Sequence, residues 1–112
     1  MASGNHNDKF VRPENFDGQH FKRWKQKMFF YLTTLKVAYV INQPRPSGLL
    51  EPELSIIRQK WDEDDYLCKN YILSALSNQL YDLYCEYDTS AEIWKELVKK
   101  YKTEEAGVKK KP

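Results

Sequence analysis

Phe21, Trp24, Met28, Leu32 and Leu35 recur at intervals of three and four residues, which aligns them on one stripe of an α-helix and on neither face of a strand. The spacing predicts a helix over residues 19–35. A tight turn at Phe16-Asp17-Gly18 feeds it, with Asp17 or a neighbour capping exposed backbone N–H groups. Tyr31 flanks the stripe. The opposite face carries Arg23, Gln26, Lys27, Thr33 and Thr34, but also Phe30. A large aromatic turned away from the stripe needs a second partner, either another helix of the same domain or another subunit. Burial of Phe30 beneath a second helix of the domain is the favoured reading, which makes this helix a sandwiched one.

The same period returns twice more. Pro52 suits the first turn of a second long helix, where its missing N–H costs nothing. Leu54, Ile57, Trp61, Cys68, Ile72, Ala75 and Leu76 form the stripe of that helix. Asp65 falls inside it, so either the helix breaks near Asp64 and Asp65, or Asp65 is buried against a hydrogen-bond donor. The stripe keeps its phase across the interruption, which favours burial. A shorter helical segment over residues 78–84 carries Leu80, Leu83 and Tyr84. Thr89 followed by Glu92 is a capping box, opening a helix with Ile93, Trp94, Leu97, Val98 and Tyr101 on its apolar side. Lys99, Lys100 and Lys102 close it, cations set against the negative helix end. Residues 36–41 are apolar and partly β-branched, but no second strand is evident to pair with them, and a short helix or connector is expected. Residues 42–48, with Pro44, Pro46 and Gly48, read as a loop. The sum is an all-α fold, a compact bundle of four to five helices spanning residues 16–107. A flexible lead precedes it over residues 1–15, and a frayed basic tail follows over residues 108–112.

The expected core is Phe21, Trp24, Met28, Leu32, Trp61, Cys68, Ile72, Leu76, Trp94 and Leu97. Eight Tyr, five Phe and three Trp in 112 residues make such a core attainable, because each aromatic buries a large area. A net charge of only +2 falls short of the balance of a dedicated nucleic-acid binder. Residues 1–8 lack the apolar run of a signal peptide, and Ala2 stands where myristoylation needs glycine. Apolar runs such as residues 28–32 are too short to span a bilayer. A cytoplasmic protein without membrane contact is expected.

Catalytic and metal chemistry are not expected. Asp62, Glu63, Asp64 and Asp65 are consecutive on a helix and point about 100° apart, so they cannot converge on one ion. A solvated face plus one internal Asp is the better reading. Cys68 and Cys85, with His6 and His20, make neither a disulfide framework nor a four-ligand zinc site, and the thiols read as reduced and buried. No glycine-rich phosphate loop or Gly-flanked Ser is present. Neither enzyme activity nor a cofactor is expected. Lys22, Arg23, Lys25 and Lys27, beside Phe29 and Phe30, form a candidate weak RNA contact, because basic residues interleaved with aromatics hold phosphates and stack bases. The alternative is that these side chains solvate the outer face of a core helix.

Three segments, in order, resemble the N-terminal part of the Gag polyprotein of copia-type LTR retrotransposons, particularly those of plants. The first is Phe16-Asp17-Gly18-Gln19-His20-Phe21-Lys22-Arg23-Trp24. The second is Trp61 with Asp65, Cys68 and the Tyr71-Ile72-Leu73 run ending at Leu76. The third is Thr89, Ala91, Glu92, Trp94, Leu97 and Lys99-Lys100-Tyr101. The resemblance covers residues 16–107. It implies the N-terminal lobe of a capsid domain, whose partners are other Gag subunits and whose work is homotypic assembly into a particle shell. Phe29 and Phe30 are the candidate assembly contact. In that family a second helical lobe, often a Cys-Cys-His-Cys zinc knuckle, and a protease follow; the knuckle, which most plainly binds RNA, lies outside this chain. The alternative is a domesticated Gag-derived adaptor that binds a heterologous protein. The isolated lobe is expected to be mostly monomeric in dilute solution.

Overall fold

The computed structural model describes residues 12–48 and 52–102; the expected tail at 108–112 and residues 1–11 of the expected lead lie outside them. Five α-helices follow in order among the described residues: α1 (Phe21–Thr34), α2 (Tyr39–Asn42), α3 (Glu53–Ser74), α4 (Asn78–Tyr84) and α5 (Ser90–Leu97). A π-helical turn, Val98–Lys102, extends α5. No named strand occurs among the described residues; the one bridge pairs Phe16 with Leu76 in parallel. The all-α bundle is what the three apolar stripes require.

Each boundary has a local cause. Asp17 Oδ1 accepts from the Gln19 N–H at 3.1 Å, so Asp17 caps the turn and not the helix. The N-cap of α1 is His20, in the left-handed region at φ 60 and without a side-chain cap. At the other end the Lys36 N–H donates to Thr33 O and the Val37 N–H to Leu32 O, which is a Schellman closure. Lys36 occupies its left-handed position at φ 67. Residues 36–41 do turn helical in part, as the four-residue α2. Pro52 is the N-cap of α3, one residue before the first turn. Ser77 Oγ accepts from the Leu80 N–H and starts α4. Thr89 and Glu92 form the capping box of α5 in full.

Every residue assigned to the core is buried. Four other apolar residues at helical spacing are not: Leu35 and Val98 are half-buried, Ile57 is 41% exposed and Leu83 is 67% exposed. The helix α3 packs against α1, α2, α4 and α5, and the flanks of its stripe stay in solvent.

Residues 12–15 of the expected lead are anchored more firmly than a flexible segment would be. Pro13 is buried, and the Arg12 guanidinium donates to Ser74 O and to Asn15 Oδ1. Phe16 then donates its N–H to Ala75 O and accepts from the Ser77 N–H, both at 2.8 Å. Its ring is 2% exposed and meets Phe21, Trp24 and Tyr101 at centroid distances of 5.3, 5.2 and 4.8 Å.

Candidate assembly surfaces and the buried joints behind them

The buried aromatic residues among those that carry the resemblance meet one another. Phe16, Phe21 and Trp24 of the first segment pack on Tyr101 and Trp94 of the third, with Trp24 and Trp94 centroids 6.0 Å apart. The second segment joins the third through Asp65. Its Oδ1 accepts from the Ser90 N–H at 3.0 Å and from the Ser90 hydroxyl at 2.6 Å, with Ser90 fully buried. Asp65 thereby places a carboxylate at the N-terminus of α5, where helix polarity favours a negative charge. The anticipated internal Asp has its donor.

Asp64 is internal as well, which corrects the expectation of a single buried acid. Its carboxylate accepts from the Tyr39 hydroxyl at 2.5 Å and pairs with Lys60 at 3.3 Å. Burial, and secondarily the bond to Asp64, push the Tyr39 hydroxyl up to about 12. Asp62 points the other way and is gripped by the Arg45 guanidinium at 2.9 and 3.0 Å. That two-pronged bond holds its carboxyl below the usual carboxylate range. The acidic run therefore divides among several partners. No group of three or more His, Cys, Asp or Glu is placed to hold a metal ion among the described residues. Cys68 is buried, and burial drives its thiol up to about 12, whereas Cys85 is only half-buried, not buried as expected. The Trp24 indole N–H is buried with no hydrogen-bond partner.

The candidate contact residues separate. Phe29 is half-buried, its ring 5.9 Å from that of Trp94, and belongs to the edge of the core. Phe30 is 63% exposed, which overturns the favoured reading that a second helix covers it: α1 is packed on one side only. Of the basic candidates, Lys22, Arg23 and Lys27 are exposed, and Lys25 is half-buried. Arg23, Gln26, Lys27 and Phe30 form one exposed stripe at helical spacing. Beside it lies a groove of about 460 Å³ lined by Arg12, Pro13, Glu14, Gln26, Lys27 and Phe30.

Leu83 on α4 is also exposed, as are Ile56 and Tyr66, each 68% exposed on α3, which the sequence reading does not single out. A second open groove, of about 800 Å³, runs along α3 between Arg45, Arg58, Asp62 and Tyr66. The signal that could have found these was the phase of α3: Ile56 and Tyr66 both fall well away from the Trp61–Cys68 stripe. Among the described residues no helix is long and apolar enough to cross a membrane. Comparison with protein-family models, with curated proteins and with solved structures returned no match.

Proposed function

We propose that this chain is a capsid-like building block of a copia-type retrotransposon Gag, a non-enzymatic cytoplasmic domain acting through homotypic assembly into a shell. One observation supports this above the rest. The buried residues among those that carry the resemblance form the packing framework: Phe16, Trp24, Trp94 and Tyr101 touch across the first and third segments, and Asp65 of the second bonds to Ser90 at the start of the third. A sequence pattern that encodes a rigid core fits a protein whose work is to be stacked. Assembly from weak repeated contacts needs such a rigid unit, because many weak contacts add only when their geometry is fixed. The exposed Phe30 supplies an apolar contact point of the kind such a unit presents.

The test expresses the chain together with any segment that its native reading frame encodes after residue 112 and looks for particles by electron microscopy and light scattering. Particles or higher oligomers are expected. A chain so extended that stays monomeric overturns the reading in favour of a domesticated adaptor, which pull-down of one defined protein partner would support.

A second reading has its own observation: Lys22, Arg23 and Lys27 are exposed on one helix beside Phe30. Weak RNA binding there predicts salt-sensitive affinity that falls when Lys22, Arg23, Lys25 and Lys27 are replaced by Glu with helical circular dichroism intact. No binding at low salt removes it.

A further inference from the structure

Charge is sorted along this chain. No Asp or Glu occurs between Asp17 and Glu51, and no Lys or Arg occurs between Lys69 and Lys95. The fold turns this sorting into two exposed surfaces of opposite sign, each holding a large apolar side chain. On α1, Arg23, Gln26, Lys27 and Phe30 follow one another at i, i+3, i+4 and i+7, all exposed, with Phe30 at 63%. On α4 and the turn after it, Gln79, Asp82, Leu83 and Glu86 repeat the same spacing, all exposed, with Leu83 at 67%. Tyr81, 42% exposed, flanks Leu83.

We infer that the Arg23–Lys27–Phe30 stripe of one copy docks on the Asp82–Leu83–Glu86 stripe of a second copy of this chain. The inference rests on the assembly reading and names the surfaces for it. Three properties point to a second copy as occupant. The stripes are complementary in charge, cation pair against anion pair, while like stripes repel, so neither surface pairs well with itself. Each carries one apolar anchor of similar prominence, and the groove beside Phe30 offers Leu83 a concave seat. The two surfaces differ, so the contact is heterologous, the type that extends into rings or open arrays instead of stopping at a dimer. The apolar centre is small and the charges are exposed, so a single contact is weak and salt-sensitive.

The experiment uses charge reversal and mixing. Wild-type chain at low ionic strength is followed by sedimentation velocity over a rising concentration series, beside R23E/K27E and D82K/E86K, with circular dichroism confirming the helical fold of each. Wild type is expected to self-associate and to dissociate with added salt. Each reversed variant alone is expected to associate roughly tenfold more weakly or worse, because like charges then face each other. An equimolar mixture of the two variants is expected to associate again, since the reversed stripes complement one another. Phe30→Ser and Leu83→Ser are expected to weaken association without changing its salt dependence. Association that survives both reversals, or a mixture that stays apart, overturns these surfaces while leaving assembly by another face intact. A wild-type chain that remains monomeric throughout the series also overturns them, whereas the assembly reading itself is decided by particle formation in the extended chain.

Discussion

Asp65 shows how much one side chain decides here. It sits on the apolar stripe of α3, yet its carboxylate receives two donors from Ser90, so a residue that interrupts the hydrophobic pattern becomes the bolt between α3 and α5. Hydrogen bonds to a charged group are worth about 1.5–3 kcal/mol, and removing the acceptor strands a buried N–H and hydroxyl. Asp65→Ala is therefore expected to lower unfolding stability by about 2–4 kcal/mol in urea titration. Ser90→Ala, which leaves the backbone N–H on the carboxylate, should cost about half as much or less. Equal costs would mean that the hydroxyl carries the joint. Cys68, beside this joint, gives a pH signature. Its thiol ordinarily ionises near 9 and is raised to about 12 by burial. The folded state thus holds a proton that the unfolded chain releases, and stability present below pH 9 is lost as pH rises towards 12. Tyr39, raised from 10 to about 12, acts in the same direction. Stability measured above pH 9 is expected to fall more gently in Cys68→Ala than in the native sequence, and a thiol reagent should label half-buried Cys85 well before Cys68.

At the scale of elements, the sequence was most legible where a local rule and the apolar period agreed. The Thr89–Glu92 box, the α1 stripe and the continuity of α3 through Asp65 all follow from short-range chemistry that tertiary contacts reinforce. It was least legible where exposure depends on which neighbour happens to lie nearby. Phe30 and Leu83 have the side chains of core residues, and only the positions of the other helices leave them in water. Phe29 illustrates the converse, covered by Trp94 from a helix far along the chain. Lys36 was also invisible to pattern, since nothing in a lysine announces a left-handed backbone, and His20, of a type only modestly favoured there, gave a weak signal at most. Lys36 closes α1 in a position that glycine takes without steric cost. Lys36→Gly is expected to raise stability by about 0.5–1 kcal/mol, read as an increase in the urea midpoint with unchanged slope. A decrease would show that the exposed lysine side chain contributes more than its backbone conformation costs.

For the whole molecule, the contacts of Phe16 outweigh its position near one end of the chain. Its backbone bonds to the α3–α4 turn, and its ring lies against α1 and against Tyr101 of the π-helical turn. Phe16→Ala removes the shared centre of that cluster, and large-to-small changes of a buried Phe cost about 3–5 kcal/mol. Loss of that size in a domain this small is expected to leave the variant partly unfolded at room temperature, visible as reduced helical circular dichroism and a broadened melt. A variant with native ellipticity and a sharp melt would show that the three segments hold together without it. The candidate site is legible at this scale only in part: the resemblance concerns the framework, while the surfaces proposed for assembly lie on flanks that the framework leaves uncovered.

The handshake between Phe16 and Tyr101 also sets a timetable for synthesis. Helices α1 and α3 can each form while the chain is still leaving the ribosome, yet the aromatic knot waits for residue 101 to emerge and for a long intervening loop to close. Until then Phe16, Phe21 and Trp24 lack their final cover, so a nascent chain halted short of Tyr101 offers a sticky aromatic face to whatever is near. The interval before that last turn is delivered is when clumping competes most strongly with completion of the fold.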